Sequence, residues 1–153
     1  MENNTSAVTQ DEKLLALLSH LSLLFGGIIL PIIVWAVQKD KSQFVRFHSL
    51  QAIFFHIAYL AAVIIFAVLI VIVALVFGLG AGLFATRHAS DPGAFPFLII
   101  GITAVLYIGI FVLIFAFIGY AVYIGIKAYG GEYKMIPFIG RRVYESISRG
   151  KSN

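Results

Sequence analysis

Between Ile53 and Phe77 the chain carries neither a charged residue nor a proline, and a second such run extends from Phe97 to Ile126. In hydrocarbon every backbone N–H and C=O must find its partner within the chain, so runs of this length fold as helices. Apolar stretches of about 18 residues or more with few charges are long enough to cross a bilayer. A soluble helical bundle would need a polar face recurring every 3.6 residues or so, and the two runs show none. Composition agrees: 61% of the 153 residues are hydrophobic. Only 12% are charged, against roughly 25% in soluble domains. A chain this short cannot hide so much apolar surface within itself. The sequence therefore predicts an all-α integral membrane protein.

Three apolar segments are expected to span, at about 14–37, 49–84 and 97–127. A polar segment, 1–13, precedes the transmembrane domain at 14–140, and a basic tail follows at 141–153. Thr9 and Glu12 have the spacing of a capping box and open the first helix near Gln10. Pro31, preceded by Gly26-Gly27, predicts a kink in the first span. The second span is read as one long helix fraying around Gly78, Gly80 and Gly82, followed by a loop over Thr86–Pro96 whose composition is turn-like. Lys127 and Gly130-Gly131 close the third span. From Ile139 onward, Val143 and Ile147 recur at i+4 with Arg142 and Glu145 on other faces, which predicts a short amphipathic cytoplasmic helix in the headgroup layer.

Three spans put the termini on opposite sides. Lys39, Lys41, Arg46, Lys127, Lys134, Arg141, Arg142, Arg149 and Lys151 then share one side, and Lys13 and Arg87 the other. The positive-inside bias predicts N-terminus out, C-terminus in the cytoplasm, in a bacterial inner membrane. The net charge of +4 is explained by headgroups beside the spans, without nucleic acid. No cysteine is present, which excludes disulfides, thiolate metal sites and cysteine nucleophiles. The N-terminal residues lack the basic region of a cleavable signal peptide.

The polar residues with the sharpest placement lie in F44-V-R-F-H-S-L-Q-A52. Helical spacing puts His48, Ala52, His56 and Tyr59 on one stripe with Gln51 at its edge. Polar groups facing lipid are costly, so the stripe is expected to face protein or water. Arg46 is expected to snorkel to phosphate, and Arg141 and Arg142 to sit at the interface. His20 falls in the outer half of span one, so antiparallel packing of spans one and two would separate it from His48. Interhelical hydrogen bonding is the simplest role for these histidines; a proton or substrate path is the alternative. No HExxH-type spacing or accompanying carboxylate suggests a metal, and no cofactor or catalytic set is indicated. Gly78/Gly82, Ala58/Ala62 and Ala121/Gly125 have small-xxx-small spacing, which permits close helix contact.

The segments S19-H-L-S22, P31-I-I-V-W35, F44-V-R-F-H-S-L-Q-A52 and G131-E-Y-K-M-I-P-F-I-G140 together resemble the Tic20-like (DUF4870) family over roughly residues 14–140. That resemblance implies a small helical membrane protein and, through a plastid import relative with four spans, a component of a protein-translocation or small-solute channel. The residues alone favour a non-enzymatic accessory or structural subunit of a larger membrane complex, with lipids and other membrane subunits or further copies of the chain as partners.

Overall fold

The computed structural model describes residues 7–25, 27–87 and 95–149. It is all-helical: α1 (Gln10–Leu21), a 3-10 turn (Ser22–Leu24), α2 (Ile29–Gln38), α3 (Gln43–Arg87), α4 (Phe95–Tyr129) and α5 (Ile139–Arg149). The chain divides into two compact units, one formed by residues up to Tyr59 together with those from Phe117 on, the other by Leu60–Ala116.

The Leu60–Ala116 unit consists of the later turns of α3 and the earlier turns of α4. Large apolar side chains such as Ile65, Leu79, Phe97 and Phe115 are exposed along both helices. An outside this apolar on all sides is what a lipid solvent selects. Within it, Gly109 lets the Phe66 ring approach; a Cβ there would stand 2.9 Å from Phe66 Cζ. Gly78 and Gly82 have nothing within 4 Å of a Cβ position, so that pair makes no close helix contact among the described residues. Nor does α3 fray there: it continues to Arg87. Glycine lowers helix propensity by only about 1 kcal/mol, less than freeing backbone groups in an apolar setting. The loop predicted over 86–96 falls mainly on 88–94, outside the described residues.

Among the described residues, two helices, not three, are long and apolar enough to cross a membrane: Gln43–Gly80 and Pro96–Tyr129. The segment read as span one is broken. Its two pieces have 12 and 10 residues, or about 18 and 15 Å of helix, each near half of a hydrocarbon core about 30 Å thick. The break is at Gly27, whose φ of +52° is the left-handed conformation glycine tolerates, and its N–H bonds Ser22 O at 2.6 Å. Pro31 therefore kinks nothing. It lies in the first turn of α2, where its missing N–H has no intrahelical partner to lose.

This reversal sets directions in the first unit. The N-terminal turns of α1 and α3 lie together: the Thr9/Glu12 capping box is formed, and the Glu12 carboxylate also accepts from the Ser42 hydroxyl. Ala16 packs with Val34, Phe44, Val45 and Ala128. α1 thus runs antiparallel to α2 and parallel to the start of α3. Gly125 meets Leu17 and Gly131 meets Lys13, so α1 is antiparallel to the end of α4. Ala121 is buried, and a Cβ on Gly125 would approach Leu17 Cδ1 to 3.1 Å; this small-residue pair lies in close packing.

α4 ends in a Schellman arrangement, with Glu132 N–H on Lys127 O at 3.1 Å, Gly131 N–H on Ala128 O at 2.8 Å and Gly131 at φ +84°. α5 does not lie alone in a headgroup layer. Its Val143 and Ile147 bury against Phe47, with Ile139 and Leu50 alongside, so α3 covers its apolar face.

Two outcomes follow from these contacts. Gly27→Ala meets open space, so its cost is the left-handed backbone alone, about 1 kcal/mol, read as a lowered unfolding midpoint in detergent. The Glu12 carboxyl is held below its ordinary value of 4.5 by the Ser42 hydroxyl first and the Thr9 N–H second, against slight desolvation. A lowered folded-state value means this stabilisation is complete above the ordinary carboxyl range and is lost as pH falls through the lowered value. Glu12→Gln should flatten that part of the acid-unfolding profile; an unchanged profile would remove Glu12 from the account.

Candidate functional site

Ser42 caps α3, its Oγ accepting from Val45 N–H at 3.2 Å. The motif Phe44–Ala52 therefore forms the first turns of the long helix. Phe44, Val45, Phe47, His48, Ser49, Gln51 and Ala52 are all buried. A helix buried on nearly every side needs neighbours on every side. Here they are α1, the segment after α4, and α5. Ser49 hides its hydroxyl by bonding back to Val45 O at 2.7 Å.

The segment from Glu132 to Ile136 is a strap without regular structure. Side chains of α3 satisfy its backbone. His48 Nε2 lies 3.0 Å from Glu132 O. Gln51 donates through Nε2 to Lys134 O at 3.0 Å and accepts at Oε1 from Ile136 N–H at 2.9 Å. The carboxamide thus pairs with the strap as a neighbouring strand would. Gly140 is required beside it: a Cβ would collide with Gln51 Oε1 and stand 2.7 Å from Met135 Cβ.

His20 and His48 are neighbours, with His20 Nε2 3.3 Å from His48 Nδ1 and the rings edge to face. The expectation that they lie at opposite membrane sides fails because the chain reverses at Gly27 and α1 runs parallel to α3. The Glu132 carbonyl can only accept, so in the neutral pair His48 carries its proton on Nε2, its Nδ1 accepts, and His20 donates from Nε2. His20 Nδ1 is left as a lone pair, buried and without a partner. His56, one step deeper on the same face, pairs Nδ1 with Ala52 O at 2.6 Å and Nε2 with Ser22 Oγ at 3.2 Å. The Ser22 hydroxyl also faces Ser19 O at 2.8 Å, so one proton serves two acceptors. A hydroxyl beside an imidazole is the start of a nucleophile pair, but Ser22 is fully buried.

The structure therefore brings His20, His48, Gln51 and His56 into one polar layer and leaves three arginines outside it. Arg46 lines a cleft with Lys39 and Lys41. Arg141 is exposed and bonds Glu145 at 3.0 Å, and Arg142 is exposed. Among the described residues, no three His, Cys, Asp or Glu side chains form a group that could hold a metal. Sequence reasoning did not find the bonding partners of His48 and Gln51, because they are backbone atoms more than 80 residues away. The one available signal was G131-E-Y-K-M-I-P-F-I-G140, whose glycines mark Gly131 and Gly140.

Two lipid-compatible helices carrying a separate, internally hydrogen-bonded unit define a small all-helical membrane protein. The chain belongs to the magnetosome magnetite crystal formation protein family (MamF/MmsF), whose family model matches residues 11–143. This match overturns the resemblance to the Tic20-like (DUF4870) family, and with it the channel function that resemblance implied. The motifs quoted for that resemblance all fall within the matched region. No curated protein and no solved structure matches the chain.

Gln51→Leu would keep the bulk and strand Lys134 O and Ile136 N–H. Leaving two polar groups unpaired, one buried and one part-buried, costs about 2–6 kcal/mol. Faster hydrogen exchange at the Ile136 amide and a lower unfolding midpoint are expected, and Gly140→Ala should reproduce both by displacing the same carboxamide.

Proposed function

We propose that this chain is a non-enzymatic accessory protein of magnetite crystal formation, held in its membrane by α3 and α4 and working alongside other membrane proteins or further copies of itself. The family match over most of the chain carries this reading. The exposed apolar helices supply the membrane address, and the hydrogen-bonded unit supplies a folded surface for partners. The matching experiment is deletion of the gene in its own magnetite-forming host, followed by electron microscopy. Crystals altered in number or dimensions, and restored by the intact gene, are expected; crystals indistinguishable from wild type would reject the role.

The same reading gives a topology with two crossings and both termini on one side. The contacts of α1 with the end of α4, including Gln10 Nε2 to Tyr129 OH at 2.6 Å, favour it. In this arrangement every one of the 11 Lys and Arg residues except Arg87 falls on the side of the termini. The positive-inside rule makes that side cytoplasmic. The α1–α2 hairpin then enters from that side and turns back within the membrane, with Phe25, Ile29 and Ile33, all exposed, toward the acyl chains. Because the chain has no cysteine, single substitutions report cleanly. Ala7→Cys and Ser148→Cys should react with an impermeant thiol reagent from the same side, and Ser90→Cys from the other. Opposite-side labelling of the first two would restore three crossings.

A further inference from the structure

Where α2 hands over to α3, the turn and the last residues of α5 enclose a cleft of about 350 Å³ lined by Lys39, Asp40, Lys41, Ser42, Gln43, Arg46 and Ile147. The volume falls in the range of small-molecule sites. Three of the lining side chains are cations and one is an anion. Among the described residues, the ion pairs are Lys127–Glu132 and Arg141–Glu145, so no carboxylate lies within ion-pair distance of Lys39, Lys41 or Arg46, and Asp40 offsets only part of their charge. Lys39 lies over the Trp35 ring, 5.8 Å from its centroid, a contact that does not cancel its charge. Arg46 is partly buried, and its Nε is buried with no hydrogen-bond partner. A guanidinium N–H in that state is uncommon, since buried polar atoms are nearly always satisfied.

We propose that this cleft is a binding site for a phosphate group. A phosphate presents several acceptor oxygens and negative charge, which suits the Arg46 guanidinium and the two lysines that line the cleft. Arg46 is the anchor, and Lys39 and Lys41 add charge. Asp40, which also lines the cleft, disfavours a second anionic group. The two natural sources are the phosphodiester of a lipid headgroup and free inorganic phosphate, and both use the same contacts. The site is independent of the role in crystal formation and stands or falls on binding alone.

The test uses the full chain in a non-ionic detergent without phosphate. Calorimetric titrations with inorganic phosphate and with a short-chain phosphatidylglycerol below its micelle concentration are run on wild type, Arg46→Gln, Lys41→Gln and Arg141→Gln. Saturable binding weakened about tenfold or more by Arg46→Gln is expected, the size of one lost charge-assisted hydrogen bond. Lys41→Gln should weaken it less, and Arg141→Gln should leave it unchanged. Binding of the lipid alone assigns a headgroup, and binding of inorganic phosphate alone assigns the free ion; binding of both, with competition, assigns a general phosphate site. No binding of either, or equal loss with Arg46→Gln and Arg141→Gln, overturns the proposal. Circular dichroism melting confirms that Arg46→Gln folds; should it not, Lys39→Gln combined with Lys41→Gln, which leaves Arg46 in place, must still weaken binding for the site to stand.

Discussion

The first unit depends on the pairing of two α3 side chains with the backbone of the strap at Glu132–Ile136. An extended segment beside helices has no ladder partner, and its buried peptide groups would be expensive to leave unpaired. His48 and Gln51 fill that gap from one face of one helix. Gly140 leaves room for the Gln51 carboxamide, and the chain is then positioned to lay α5 over Phe47. Two segments more than 80 residues apart in sequence thus act as one structural piece. The polar side chains in Phe44–Ala52 are framework, and Arg46, outside that framework, is the residue of the motif left available to a ligand.

The half-length helices α1 and α2 determine what meets the polar layer. A full span would have run antiparallel to α3 and carried His20 to the far side. The turn at Gly27 makes α1 parallel to α3, so Ala16 meets Val45 and His20 meets His48 in step. The same geometry sets the Glu12 carboxylate beside Ser42, joining the caps of two helices. Neither segment alone could bury a histidine pair; each supplies half of the hydrogen-bonding capacity the other needs.

The long helices were legible because their signal is local. Uninterrupted apolar runs, the Thr9/Glu12 box and the Lys127-to-Gly131 stop all act within a few residues. Span one misled because mean hydropathy does not distinguish a crossing from a hairpin of the same composition. The deciding fact was the conformation of a single glycine, with Pro31 equally at home in a kink or in a first helical turn. The helix beyond Gly78 was misread for the opposite reason: glycine's weak local preference is overridden when the alternative is unpaired backbone in an apolar setting. At the site, His48 and Gln51 stood out as polar residues near a span. Their partners did not, because a backbone carbonyl at Glu132 or Lys134 has no side-chain signature.

Recognition in this protein has to come from one of its two units. The segment Leu60–Ala116 holds Arg87, His88 and Asp91 as its only charged or imidazole side chains, all in or beside the connection between α3 and α4. Its helices present apolar surface, which can select a membrane or a flanking helix but cannot discriminate between polar ligands. All the remaining Lys and Arg residues belong to the other unit. There, most buried polar groups are consumed internally: Gln51 by the strap, His56 by Ala52 and Ser22, Ser49 by its own helix. Among the described residues three buried side-chain polar atoms escape this closure, His20 Nδ1, Trp35 Nε1 and Arg46 Nε. The first is enclosed by α1, α3 and α4, beyond the reach of a partner. The Arg46 side chain lines a cleft beside Lys39 and Lys41, so the surface around Lys39–Arg46 is where this fold can distinguish one polar partner from another.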